Sequence, residues 1–264
     1  MDVNTTVEPR RREGSPLRGA PYGAQAPMAL GFDGLEIASA CTVADLTGLA
    51  LPGIWAATQH LIARCCRSFP APSTSWNVTT VGGNLRNSLP SGPMIALTAA
   101  LEGECALRTP EGVERRLRVV DFVTGVGRNA LAEGELLRSV TLPAGALCSP
   151  TAFRRVCPHP RARSSALLIG RFDPADGSFT LTITASTVRP VQVRFAQPPD
   201  ADALRRSVEA AVSKDEWYDD PGSGVPVPAD SRRDLTLRLA EEIRRELHDR
   251  NAQGTHRPGA GKVR

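Results

Sequence analysis

The residues with the clearest chemical potential form the segment TVGGNLRN at positions 80–87. Two glycines and an asparagine at the end of an extended run leave backbone N–H groups uncovered, and such groups can hold a pyrophosphate without a cationic side chain. The preceding residues VTTV are β-like, so we expect a strand that ends at Gly82, Gly83 and Asn84. A tight turn without a ligand explains the same residues equally well, and both interpretations stay open at this point.

Other motifs carry less information. GVGRNA at 125–130 has the spacing of a dinucleotide-binding fingerprint, but the short, Gly134-interrupted stretch after it is not a full helix, so a glycine-rich connection is expected. The six cysteines include no CxxC pair, which predicts reduced, mostly buried thiols without a metal role. No Walker loop, HExxH or GxSxG motif occurs in the sequence.

Composition narrows the class of protein. The 264 residues are 41% hydrophobic, with a net charge of +4 from basic and acidic residues mixed along the chain, which disfavours a nucleic-acid binder. No apolar run approaches the roughly 18 residues of a membrane span, and the N-terminus lacks the apolar core of a secretory signal. We therefore expect a soluble cytoplasmic protein.

Hydrophobic periodicity predicts an α+β protein with two folded parts between two tails. In the first part we expect a strand at 35–43, a helix at 51–69, a helix starting near Pro90, a hairpin of ECALRT and VERRLRVV, and a strand LLRSVTLP. In the second we expect strands FRRV, SSALLIGRF and SFTLTITAS, a helix at 200–212 and a final helix SRRDLTLRLAEEIRREL. The predicted divisions are a disordered tail at 1–27, domains at 28–148 and 149–250, and a second disordered tail at 251–264.

The order of motifs from Trp76 to Pro143 resembles one family. VTTVGGNLRNSLPSG, IALTAALEGECALRT, PEGVERRLRVVDFVTG and LAEGELLRSVTLP follow one another as in the FAD-binding medium subunit or domain of the molybdenum hydroxylases, which include xanthine dehydrogenase and carbon monoxide dehydrogenase. The resemblance extends more weakly over residues 33–248. It implies a PCMH-type FAD-binding α/β subdomain followed by a small C-terminal domain of antiparallel sheet and helices. It also implies iron–sulfur and molybdenum-cofactor partner subunits.

The resemblance assigns roles to particular residues. Thr80, Gly82, Gly83 and Asn84 would contact the pyrophosphate of FAD. Leu136 or Leu137 would lie near the flavin ring, and Arg154 stands where the family usually has a lysine. Electrons would pass from an iron–sulfur partner through FAD to an acceptor, so no catalytic side chain is required.

The sequence also departs from the family. Family members begin with a βαβ unit that carries a second glycine-rich loop, whereas this chain has only the residues before Leu35, so the fold is expected to lack most of that unit and FAD to bind weakly. The family's ASPxxD pattern is replaced by Ser88, Leu89 and Pro90, with Pro93 in place of the Asp, and its acidic pair by Ser164 and Ser165. Two alternatives therefore accompany the FAD hypothesis: a degenerate homologue acting as a binding or scaffold protein, and a cleft reused for non-redox chemistry.

Overall fold

The computed structural model describes residues 26–159, 162–218 and 228–254. The predicted tail at 1–27 lies outside these residues except for its last two positions, and so does the part of the C-terminal tail beyond Gly254. Within the described ranges the chain forms a five-stranded sheet, a four-stranded sheet and a small two-stranded ribbon.

The five-stranded sheet is antiparallel throughout and has the order β1-β2-β7-β3-β4. Its strands are β1 (Met28–Gly31), β2 (Gly34–Ala38), β3 (Glu104–Arg108), β4 (Glu114–Arg118) and β7 (Leu136–Pro143). The predicted hairpin of β3 and β4 and the predicted strand β7 are confirmed. Strand β2 is shorter than predicted because the chain turns at Ser39 and starts a helix at Val43.

Six α-helices and two short 3₁₀ helices (Gly53–Trp55 and Ser73–Asn77) accompany this sheet within the described residues. The α-helices are α1 (Val43–Thr47), α2 (Ala56–Cys66), α3 (Val81–Asn87), α4 (Pro93–Ala100), α5 (Val119–Phe122) and α6 (Ala144–Cys148). Side chains of α2 and α4 share one hydrophobic core with Ile37, Cys105 and Val140 of the three central strands. Every residue of α4 is buried, so this helix lies inside the molecule rather than on its surface.

Two expectations for this part are wrong. The run VTTVGGN is not a strand that ends in a turn: Thr80 makes only an isolated bridge with Thr42, and Gly82, Gly83 and Asn84 belong to the first turn of α3. The segment GVGRNA, predicted to be a glycine-rich connection, contributes to a ribbon of β5 (Val123–Gly125) and β6 (Arg128–Asn129), which follows directly on α5.

The second part is a four-stranded antiparallel sheet with the order β11-β10-β9-β8. Its elements are β8 (Thr151–Val156), β9 (Ala166–Phe172), β10 (Phe179–Thr184), β11 (Val191–Phe195), α7 (Ala201–Ala211) and α8 (Ala229–Gly254). The antiparallel sheet with helices predicted for the C-terminal part is confirmed. Helix α8 continues through Asn251 to Gly254, so the predicted tail starts too early.

The two parts meet through α4. Alternation along β10 places Phe179, Leu181 and Ile183 in a core with α7 and α8, while the threonines between them face the other way, toward α4. Across this contact the Gln192 side chain donates a hydrogen bond from Nε2 to the backbone oxygen of Ala99 at 2.8 Å. In the described residues no helix is long and apolar enough to cross a membrane.

Candidate functional site

The segment 80–87 forms a capped helix start. Thr80 has extended backbone angles (φ −106°, ψ 156°), and its Oγ1 accepts a hydrogen bond from the Gly83 N–H at 3.0 Å. This is the N-cap arrangement, in which a threonine outside the helix satisfies a first-turn donor. The VTTV residues therefore lead into a helix although their β-branched side chains favour a strand.

The backbone N–H groups of this first turn are all engaged. Val81 donates to Cys41 O (2.9 Å), Gly82 to Ser39 O (2.9 Å), Gly83 to Thr80 Oγ1 (3.0 Å) and Asn84 to Thr80 O (3.0 Å). The uncovered amides expected from the sequence are thus not found. A phosphate at this position would have to be held by side chains.

The two glycines serve different purposes. A Cβ on Gly82 would lie 1.7 Å from Ser39 Oγ and 2.7 Å from Ser39 O, so this buried glycine lets α3 pack against the chain that leaves β2. Gly83 is exposed, and a Cβ there would meet only Thr80 Oγ1, at 2.8 Å. The missing side chain of Gly83 therefore opens the space in front of the Thr80 hydroxyl.

Asn84 joins α3 to α4. Its Oδ1 accepts a hydrogen bond from the Met94 N–H at 3.0 Å, while its NH₂ group donates none within the described part of the chain. Thr80 and Asn84 thus carry a hydroxyl and an amide NH₂ group close along the chain to the exposed Gly83. These groups fit a phosphate through side-chain hydrogen bonds.

Strand β7 runs beside α3 and contains Leu136 and Leu137. Leu137 is 5% exposed and belongs to the hydrophobic core, whereas Leu136 is half-buried. Leu137 packs inward because a register shift opposite Ala106 and Leu107 leaves Arg138 without a partner on β3. Of the two leucines, Leu136 is the one with accessible surface for a ligand.

The burial pattern of β7 shows the same register shift. Leu137, Val140 and Leu142 all face the core, and a regular strand cannot bury residues three positions apart on one face. An extra residue is needed between Leu137 and Val140, which is a β-bulge. The bulged residue is Arg138, which the sequence-based prediction did not single out.

Arg154 lies on β8 in the second part. Its guanidinium donates to Glu242 Oε2 at 2.8 Å and to Glu246 Oε2 at 2.6 Å, and both glutamates belong to α8. These ion pairs fasten the sheet to α8. The role of Arg154 toward a flavin stays a prediction.

The loop before β7 is fixed by an ion pair. Arg115 of β4 donates from Nε to Glu135 Oε1 and from Nη2 to Glu135 Oε2, both at 2.7 Å. The bidentate bonds from Arg115, aided by the Ala132 N–H, lower the pKa of the Glu135 carboxyl to about 2. This contact sets where β7 begins.

The cysteines are placed largely as expected. Four are buried, namely Cys41, Cys65, Cys66 and Cys105, and burial raises the pKa of the Cys105 thiol to about 12. Cys157 is half-buried and Cys148 is exposed. The described residues contain no group of three or more His, Cys, Asp or Glu side chains that could hold a metal ion.

The first part of the chain is similar to a known family of domains. The family described as the FAD binding domain in molybdopterin dehydrogenase matches residues 30–145. These residues, which make up less than half of the chain, are therefore similar to that family of FAD-binding domains. No curated protein matches the chain.

Solved structures extend the likeness to most of the fold. Reconstituted CO dehydrogenase from Oligotropha carboxidovorans is 19% identical with a TM-score of 0.65, over 82% of this chain and 76% of that one. Carbon monoxide dehydrogenase from Hydrogenophaga pseudoflava is 18% identical (TM-score 0.64; 82% and 75% covered), and quinoline 2-oxidoreductase from Pseudomonas putida 86 is 19% identical (TM-score 0.60; 86% and 78%). At these identities the likeness establishes a shared fold that includes the second sheet.

Proposed function

We propose that this chain is the FAD-binding subunit of a molybdenum-hydroxylase-type oxidoreductase. The observation that carries the proposal is the match of residues 30–145 to the FAD-binding family, combined with the exposed Gly83 next to the side chains of Thr80 and Asn84. When bound, FAD supplies the redox chemistry by which electrons pass from an iron–sulfur partner to an acceptor.

The residues of the chain bind and orient the cofactor. The Thr80 hydroxyl and the Asn84 NH₂ group would donate hydrogen bonds to the pyrophosphate, and Leu136 would offer apolar surface to the flavin ring. Gly82 acts indirectly, because it allows α3 to approach Ser39 and so fixes the position of Thr80.

The test is a calorimetric titration of the full chain with FAD, carried out on the wild type and on Gly83→Asp. We expect Gly83→Asp to abolish binding, since its carboxylate would face the phosphates. Gly53→Asp is the matched control, because a Cβ at Gly53 has no atom within 4 Å and the same charge enters open space. If the wild type binds no FAD, the proposal fails and the degenerate-homologue alternative replaces it.

The partners implied by the relatives belong to the same proposal. Because the amides of the α3 first turn are engaged within the chain, we expect FAD to be lost from the isolated chain on dialysis. Co-expression with candidate iron–sulfur and molybdenum-cofactor subunits should raise FAD retention. Equal retention with and without them would count against a shared FAD site.

A further inference from the structure

The described residues expose an apolar surface that the proposed FAD site does not use. Six large apolar side chains are strongly exposed in the described part of the chain, and three of them, Leu30, Phe32 and Ile54, lie together on this surface. They are 48%, 104% and 72% exposed, respectively. Single apolar side chains on a surface need no explanation, but a cluster of this kind is typical of a protein–protein interface.

The three side chains border a depression of about 600 Å³, which we name the apolar groove. The groove lies between the β1–β2 hairpin, the 3₁₀ helix before α2 and the first turn of α6. None of the described residues that line it carries a charge. The lining includes Leu30, Phe32, Ile54, Trp55, Gly145 and Cys148.

Phe32 projects from the edge of this groove. It is the first residue of the two-residue turn between β1 and β2, and the rest of the described chain leaves its side chain fully exposed. At Gly145, in the first turn of α6, an added Cβ would meet no atom within 4 Å, so the groove is open there. The surface therefore combines a protruding aromatic ring with an apolar depression of the kind that accepts one.

A second copy of this chain is the occupant that this shape and charge favour. In a two-fold dimer the same patch serves both copies, so every contact across the interface occurs twice. Because Phe32 itself borders the groove, a single two-fold axis can place each ring in the groove of the other copy. The chain carries a net charge of +4, and an uncharged patch lets two copies meet without bringing like charges into contact.

We propose that the chain forms a two-fold dimer in which Phe32 of each copy packs into the apolar groove of the other, against Trp55 and Gly145. The inference goes beyond the proposed function and does not depend on FAD binding. Buried aromatic side chains near the centre of an interface usually contribute most of its binding energy. The Trp55 indole N–H already donates to Cys148 Sγ at 3.2 Å, so the ring of Trp55 can be covered without leaving a donor unpaired.

The first test is analytical ultracentrifugation of the full chain at a series of concentrations. The wild type should dimerise reversibly. Phe32→Asp should raise the dissociation constant about 100-fold or more, because each dimer loses two aromatic rings and buries two carboxylates instead. Val113→Asp is the matched control, since Val113 is 65% exposed in the loop between β3 and β4 and its substitution should leave dimerisation unchanged.

A second variant tests the two-fold arrangement itself. Gly145→Leu fills the groove, and it should not disturb the fold because a Cβ there meets no atom within 4 Å. Alone, Phe32→Asp lacks the ring and Gly145→Leu lacks the groove. A mixed dimer keeps one intact contact, between Phe32 of the Gly145→Leu chain and the free groove of the Phe32→Asp chain. The equimolar mixture should therefore dimerise more tightly than either variant alone, and absence of this rescue would contradict the proposed dimer.

The thiol of Cys148 measures what covers the groove. In the proposed dimer its reaction with a thiol reagent should slow as the protein concentration rises, and Phe32→Asp should remove this dependence. Protection that does not change with concentration would mean that residues 1–25 of the same chain occupy the groove. An unprotected Cys148 in a chain that stays monomeric would mean that no second copy binds there. Either result would overturn the inference, as would a dimer that persists in Phe32→Asp.

Discussion

The two sheets of this molecule use their faces differently. The four-stranded sheet is covered on both sides around β10, all six of whose residues are buried between α8 and α4. The five-stranded sheet buries one face against α2 and α4 and presents ion pairs of partly exposed side chains on the other. Of the residues proposed to bind FAD, Leu136 belongs to the five-stranded sheet, and Thr80 and Asn84 lie at the start of the adjoining α3, whereas Arg154 belongs to the four-stranded sheet.

This difference between the two sheets predicts that substitutions in them will affect different properties, folding stability in one and ligand binding in the other. A sheet covered on both sides tolerates little change, since each residue there contacts close-packed neighbours. A charged face offers side chains that can change partners at low cost, because exposed ion pairs contribute about 0–1 kcal/mol. We therefore expect substitutions in the four-stranded sheet to affect folding, and those near α3 and β7 to affect ligand affinity.

The largest expected effect is on stability, in Leu181→Ala. Leu181 of β10 is fully buried, so the substitution leaves a cavity and should cost about 2–5 kcal/mol in urea unfolding. The matched variant Leu136→Ala affects a half-buried residue and should cost less stability but more FAD affinity. A larger loss of unfolding free energy in Leu136→Ala than in Leu181→Ala would contradict the proposed difference between the two sheets.

Alanine substitutions at the two glycines of α3 are expected to have the next largest effect on the free energy of unfolding. In Gly82→Ala the new Cβ would overlap Ser39, including its backbone oxygen, and we expect a loss of about 1–3 kcal/mol from the forced shift. Gly83→Ala has to displace only the Thr80 hydroxyl, while alanine favours the helix by up to about 1 kcal/mol, so its stability should stay near that of the wild type. Thermal unfolding of the two variants checks this order, and equal destabilisation would contradict it.

Much of this fold could be predicted from the sequence, because alternating patterns and a turn signal at Asp173–Gly177 identify β3, β4 and β7–β10. The segment around Gly82 was mispredicted for a physical reason. The β-branched run before it favours a strand, but the Thr80 side chain caps a helix and the N–H groups of Val81 and Gly82 find acceptors in the distant residues Cys41 and Ser39. Such tertiary partners cannot be inferred from local preference alone.

The family resemblance predicted an FAD-binding domain, and the match of residues 30–145 supports that prediction, but the resemblance did not predict the geometry of the site. The bulge at Arg138 does not follow from the sequence either, because Leu136, Val140 and Leu142 could share one face of a regular strand. The contact between Arg138 and Ser39 is equally hidden in the sequence, since only the pairing of β2 with β7 creates it.

The ion pair at the start of β7 predicts a pH dependence. The Glu135 pKa falls from an ordinary value of 4.5 to about 2 in the folded chain, so its stabilising effect is complete above about pH 4.5 and is lost as pH falls toward 2. Glu135→Gln should therefore melt below the wild type at pH 7, and the gap should narrow between pH 4.5 and pH 3. The control Glu133→Gln removes a nearby exposed carboxylate and should show no such narrowing. A gap that is constant with pH would mean that the charge of Glu135 is not what holds the loop.

The smallest expected effect concerns the rates at which the cysteine thiols react with a reagent. These rates measure how well the core face of the five-stranded sheet is shielded from solvent. Cys41, Cys65, Cys66 and Cys105 are buried in that core, and desolvation raises the pKa of the Cys66 thiol to about 12, so these groups should react with a thiol reagent only when the chain opens. Cys148 is exposed at the end of α6, where its Sγ accepts a hydrogen bond from the Trp55 indole N–H at 3.2 Å, and it should react first. Cys148→Ser should remove the fastest phase of reaction at pH 8 while Cys105→Ser leaves it in place. A fast phase of thiol reaction that persists in the double variant Cys148→Ser/Cys157→Ser would show that the core face opens in the native state. The proposed contrast between a buried core face and an accessible charged face would then be wrong.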